Sequence, residues 1–140
     1  MFINMQNQLD NPTVCRLVSE SASDKSAEAM DRKITEFRCR EARDLYGWVE
    51  NNEILGVCGV EIHTDWVEIY NIAVEPNARK CGIGKAMIAA VQQKYKVAVK
   101  AETDDDAVAF YRKCGFETEG FMKTYPNGEI RRYKCVLQFS

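Results

Sequence analysis

The stretch that decides the fold runs from Glu68 to Ile88, EIYNIAVEPNARKCGIGKAMI. It opens as a strand beginning at Asp65, with Trp66, Glu68, Tyr70, Ile72 and Val74 on one face and Val67, Ile69, Asn71 and Ala73 on the other. Pro76 and Asn77 break that pattern. Two glycines one residue apart, Gly82 and Gly84, follow with Arg79, Lys80 and Lys85 close by. Beyond them Ile83, Met87, Ile88, Val91 and Tyr95 fall along one helical face. Glycines let a backbone approach a ligand, and the first N–H groups of a helix are free to donate to an anion. The stretch therefore reads as strand, phosphate-shaped loop and helix, with Lys80 and Lys85 adding charge at the rim. The bland alternative is a helix start with convenient glycines and solvated lysines.

Working outward, TVCRLV (13–18) reads as a first short strand, and residues 21–37 as a helix with Ala27, Met30, Ile34 and Phe37 at helical spacing. DLYGWVE and EILGVCGVEIH flank Asn51-Asn52 as a hairpin. KVAVKA (96–101) is a strand. DDDAVAFYRKCG (104–115) is a compact helix with acids at its start, Arg112 and Lys113 late and Gly115 as its stop. A second hairpin around PNG closes the chain. The expected order is strand, helix, three strands, helix, strand, helix, two strands. This is an α/β chain with a mixed sheet covered by helices.

The 140 residues form one expected domain, and a net charge of only -2 gives no sign of nucleic acid or an anionic membrane as partner. The first dozen residues lack the pattern of a secretion signal, and no apolar run approaches the roughly 20 residues that span a bilayer. Cys15, Cys39, Cys58, Cys81, Cys114 and Cys135 include no CxxC, and His63 is the only histidine, so no metal site is expected. Reduced cysteines in a cytoplasmic protein is the reading that follows. His63, beside Thr64 and Asp65, reads as a surface turn residue.

Two familiar phosphate loops fail at this spot. A P-loop needs Ser or Thr after Gly-Lys and a glycine five positions before; Ala86 and Arg79 stand there. A dinucleotide fingerprint needs a third glycine where Met87 stands. What survives is Arg79-x-x-Gly82-x-Gly84. That motif resembles the acetyl-CoA loop, Arg/Gln-x-x-Gly-x-Gly/Ala, of the GNAT superfamily of CoA-dependent N-acetyltransferases. AFYRKCGF (109–116) is similar to a second segment of that family, Ala-x-x-Phe-Tyr-x-Lys-x-Gly-Phe.

The resemblance covers nearly the whole chain, most strongly from Asp65 to Phe116, and implies the GNAT-like acyl-CoA N-acyltransferase fold. It implies acetyl-CoA as cosubstrate, with its diphosphate cradled by backbone N–H groups from Lys80, Cys81, Gly82, Ile83, Gly84 and Lys85, beside Arg79. The pantetheine arm would pair with the strand at Ile72, Ala73 and Val74, where the family's strand is splayed from its neighbour. Glu68 then stands where histone-type members keep their general base, against the reading of an ordinary strand carboxylate. Tyr111 stands at the family's tyrosine, where it would contact the cofactor and protonate the leaving thiolate, against the reading of a core tyrosine.

Asp104 departs from an asparagine that contacts the cofactor arm in many relatives. It can accept a hydrogen bond or cap the helix but cannot donate. Cys81, inside the loop at a helix start, reads as a small inert side chain rather than a reactive thiol.

The reaction implied is acetyl transfer to a primary amine of a small molecule or peptide, by direct attack in a ternary complex without metal. The acceptor pocket would come from the early helix and the terminal hairpin, whose strand edges also offer a homodimer contact. The competing reading is a non-catalytic acyl-CoA-binding sensor or interaction domain. A cysteine hydrolase would need a Cys–His pair that this chain does not suggest.

Overall fold

The computed structural model describes residues 1–20 and 26–140. The first segment of the helix expected over 21–37 therefore lies outside the described residues. Seven strands form one sheet in the order β1-β2-β3-β4-β5-β7-β6. They are β1 (Phe2–Asn4), β2 (Arg43–Glu50), β3 (Glu53–Ile62), β4 (Trp66–Val74), β5 (Ala98–Thr103), β6 (Glu117–Tyr125) and β7 (Gly128–Leu137). Four α-helices are described: α1 (Pro12–Glu20), α2 (Ala27–Cys39), α3 (Ile83–Tyr95) and α4 (Val108–Lys113). Neighbouring strands are antiparallel except β4 and β5, which run parallel.

The chain opens differently from the expected strand at 13–18. That segment is α1, and the first strand is the earlier Phe2–Asn4. Asn11 caps the helix, its Oδ1 accepting from Thr13 N at 2.9 Å, and Pro12 fits the first helical position, where no N–H is needed. Val14, Leu17 and Val18, at helical spacing, are fully buried. α2 starts where Ser26 Oγ accepts from Ala29 N at 3.2 Å, and it buries Phe37. The Asn51-Asn52 hairpin forms as expected, both residues left-handed, as the tight two-residue turn demands.

Each face of the sheet carries its own core. α3 and α4 cover one face with Met87, Ile88, Val91 and Tyr111, meeting Cys58, Val67, Ile69 and Val99 from the strands. α1 and α2 cover the other with Val14, Leu17, Val18 and Phe37, meeting Leu45 and Val57.

The simple alternation expected along β4 is broken. Gly59 pairs with Asn71 and Val60 with Ile69, so Tyr70 is the extra residue of a β-bulge. Val67 and Ile69 thereby share the α3 face with Ile72 and Val74. Glu68, expected on the face of Ile72 and Val74, lies on the opposite face, opposite Glu61 of β3. The bulge supplies the half-turn that separates them.

Candidate active site

β4 and β5 share three rungs, Trp66 with Ala98, Val67 with Val99 and Glu68 with Lys100. Past Glu68 the two strands diverge, and β5 continues alone with β7 as far as Thr103. The gap between them leads into a cleft of about 600 Å³. Ile72, Ala73 and Val74 form one wall, the start of α3 the floor, and Ala107, Phe110, Tyr111 and Cys114 the other wall.

The loop at the floor is shaped by its backbone. Lys80 (φ 69°) and Gly82 (φ 81°) are both left-handed. Such a conformation is unfavourable for lysine, and held strain of this kind clusters at ligand-binding loops. Gly82 is the N-cap residue of α3 and supplies no side-chain cap, so the first turn's N–H groups keep their donor capacity toward the cleft. A Cβ on Gly84 would stand 2.8 Å from Phe110 Cε1, so glycine is what lets α4 approach α3.

Arg79, Lys80, Gly82, Ile83, Gly84, Lys85 and Tyr111 join Ile72, Ala73 and Val74 around the cleft. Cys81 is exposed at the loop. The Arg79 side chain braces the loop, its Nε donating to Val74 O at 3.0 Å. Asp104 does not line the cleft; its Oδ1 accepts from Asp106 N at 3.0 Å and Ala107 N at 3.1 Å. The acids expected inside α4 precede it, because the helix begins only at Val108. Asp105 instead accepts a hydrogen bond from the Tyr133 hydroxyl at 2.7 Å, tying this turn to β7.

Tyr111 is 6% exposed, packed edge-on against Phe110 and Phe116. Burial, with the neighbouring thiols of Cys58, Cys135 and Cys114 adding to it, pushes its pKa far above the ordinary tyrosine value. It is therefore protonated at any pH at which the protein would work. Glu68, half-buried at the last rung before the gap, faces away from the cleft. Burial first and the Glu61 carboxylate second raise its pKa, with His63 and Arg43 opposing.

Around Glu68 lie features the sequence did not reveal. Arg43 is 3% exposed, ion-paired with Glu36 and Glu61 and stacked 3.7 Å over the Tyr70 ring. His63, expected as a surface turn residue, is half-buried and stacks on Trp66 at 3.8 Å. Lys100 Nζ stands 4.6 Å from the Trp66 ring centroid. Glu20, Phe110, Lys113 and Cys114 also line the cleft. Phe110 and Cys114 lie within the 109–116 motif, whereas Glu20 had no sequence signal. Among the described residues no cluster of three His, Cys, Asp or Glu side chains could hold a metal ion. Nor is any described helix long and apolar enough to cross a membrane.

A splayed parallel pair with a glycine loop at the following helix is the architecture of the acyl-CoA N-acyltransferases, and the comparisons agree. A crystal structure of aminoglycoside 6'-N-acetyltransferase complexed with coenzyme A superposes with a TM-score of 0.75 at 16% identity, covering 99% of this chain and 96% of that one. A GNAT family acetyltransferase from Elizabethkingia anophelis with acetyl-CoA bound gives a TM-score of 0.71 at 20% identity, covering 99% and 97%. An uncharacterized N-acetyltransferase in the lysA 3' region of Bacillus methanolicus is 31% identical over 99 residues, 70% of this chain and 82% of that protein. The sequence model of the acetyltransferase (GNAT) family matches residues 11–116. The chain belongs to this family of acetyltransferase enzymes.

Proposed function

We propose that residues 1–140 form one cytoplasmic N-acetyltransferase domain that moves the acetyl group of acetyl-CoA to a primary amine of a small molecule or peptide. The observation that carries the reading is the opening between β4 and β5 past Glu68, set directly above the α3 loop. The backbone N–H groups of residues 80–85 would hold the diphosphate, and the pantetheine arm would lie along Ile72 to Val74 as an added strand. The six free cysteines fit a reducing compartment.

The bulge at Tyr70 gives the reaction a geometry. The thioester reaches the gap from the α3 face, while Glu68 waits on the α1–α2 face. The amine therefore approaches from the side opposite the cofactor. An alkyl amine of pKa about 10.4 is neutral in roughly one molecule in 2500 at pH 7, a cost of about 4.6 kcal/mol. Glu68 takes its proton, and the raised pKa of the carboxylate brings it closer to that task. The neutral amine nitrogen attacks the carbonyl carbon, the C–S bond breaks, Tyr111 protonates the departing thiolate, and the proton that the new amide nitrogen sheds passes through solvent to restore Tyr111. No metal enters the scheme. The open edge of β6 is the surface a homodimer would use.

The test is release of free CoA thiol on mixing acetyl-CoA with amino acids, polyamines, aminoglycosides and short peptides. Amine-dependent release supports the reading. Calorimetric binding of acetyl-CoA without release for any amine class would leave only a binding domain.

A further inference from the structure

Of the charged side chains around the cleft, Arg79, Lys80, Lys85 and Lys113 suit an anion and Glu20 opposes one. Glu20 is misplaced in a second way as well. Its Oε2 is buried without a hydrogen-bond partner among the described residues. What holds it is a chain of ion pairs. Arg79 Nη2 lies 3.6 Å from Glu20 Oε2, Arg16 Nη1 3.4 Å from Glu20 Oε1, and Arg16 Nη2 2.6 Å from Glu75 Oε1. These pairs tie α1 to the end of β4 and to the glycine loop.

We propose that Glu20 is an internal competitor for the cofactor: its carboxylate holds Arg79, and the diphosphate displaces it. The proposal rests on the reading that the loop takes the diphosphate of acetyl-CoA. The exchange asks little of the structure. Arg79 keeps its Nε on the Val74 carbonyl while the outer nitrogens of the planar fork change partner, from a carboxylate at ion-pair distance to phosphate oxygens that accept directly. Glu20 retains Arg16, which is anchored on Glu75. α1 packs on the face of the sheet that carries Glu68, so the exchange cuts an ion-pair link between the cofactor loop and the acceptor side at the moment the cofactor arrives. Glu20 thus sets cofactor affinity without belonging to the phosphate cradle.

Calorimetry on the full chain decides the matter, with CoA and with pantetheine, which lacks the diphosphate, as ligands. Glu20→Gln should tighten CoA by about two- to five-fold, the range of a part-exposed ion pair, and leave pantetheine unchanged. In an Arg79→Gln background the same change should give a smaller gain, because the two residues act on one another. Glu20→Ala, read beside thermal unfolding of each variant, guards against a folding artefact. CoA affinity unchanged or weakened in folded Glu20→Gln and Glu20→Ala overturns the proposal and leaves the cofactor reading standing. Absence of CoA binding by the unaltered protein overturns both.

Discussion

At the scale of single residues, Tyr111 and Glu68 make separable demands on pH. Burial raises the Tyr111 pKa, so in the proposed scheme its substitution removes a proton donor without unloading the cleft. Tyr111→Phe should lower kcat by about 10²-fold while acetyl-CoA affinity holds, checked by steady-state kinetics beside calorimetry. Unchanged kcat would take Tyr111 out of the chemistry. As the proposed base, Glu68 would have to be ionised to accept a proton, so kcat/KM should fall as pH drops through its raised pKa, and Glu68→Gln should remove that limb.

The same shift has a stability consequence of fixed sign. A carboxyl whose pKa is higher in the folded state binds its proton more tightly there, so ionising it weakens the fold. Glu68→Gln should raise the unfolding temperature near neutral pH. That gain should vanish as pH falls below the ordinary glutamate value of about 4.3. A gain that persists at low pH would mean that burial of a charge at Glu68 is not its source.

At the scale of elements, the contact between α3 and α4 shapes the cleft. A side chain at Gly84 must displace Phe110, whose Cε1 and Cζ stand 2.8 and 2.9 Å from an added Cβ. Gly84→Val should weaken CoA binding by about tenfold and cost about 1–3 kcal/mol of stability, both read from ligand titration during denaturant unfolding. Gly82 differs, since nothing lies within 4 Å of an added Cβ there and only its left-handed φ resists substitution. Gly82→Ala should cost about 1 kcal/mol through the backbone alone.

How far such elements were legible depended on how local their causes are. The α3 loop was readable because glycines, basic residues and helix periodicity are all written within a few positions. The segment of α1 reads as a strand although helix signals are present: Asn11-Pro12 makes a cap, and Val14, Leu17 and Val18 keep helical spacing. The β-branched Thr13, Val14 and Val18 of TVCRLV mask them by favouring a strand. The start of α4 is not legible locally because Asp104 and Asp105 are engaged by backbone N–H groups and by Tyr133, a partner 28 residues away. The bulge at Tyr70 was not legible at all. It depends on how β3 and β4 register, and EIYNIAV alternates well enough to hide it. Glu20 belongs to the same class, since its partner Arg79 is distant in sequence.

At the scale of the whole molecule, the sheet is continuous from β1 to β6 except where β4 leaves β5, and that interruption is where the protein is least complete. Past Glu68 β4 shares no rung with β5. A pantetheine arm laid along Ile72 to Val74 would supply the missing strand pairing and join the two halves of the sheet. Binding to the folded state alone stabilises it by about 2.7 kcal/mol at a hundredfold excess over Kd. For a chain of this length that corresponds to roughly 10 °C in Tm.

Temperature alone does not locate the contact, but amide exchange does. Acetyl-CoA should slow exchange at Ile72 to Val74 and in the first turn of α3, and leave the β1–β2 edge unchanged. Pantetheine alone should protect the β4 amides and not those of the α3 loop, because it brings the arm without the diphosphate. If acetyl-CoA raised Tm while the β4 amides exchanged as before, the cofactor would be held by the loop alone. The gap in the sheet would then need another purpose.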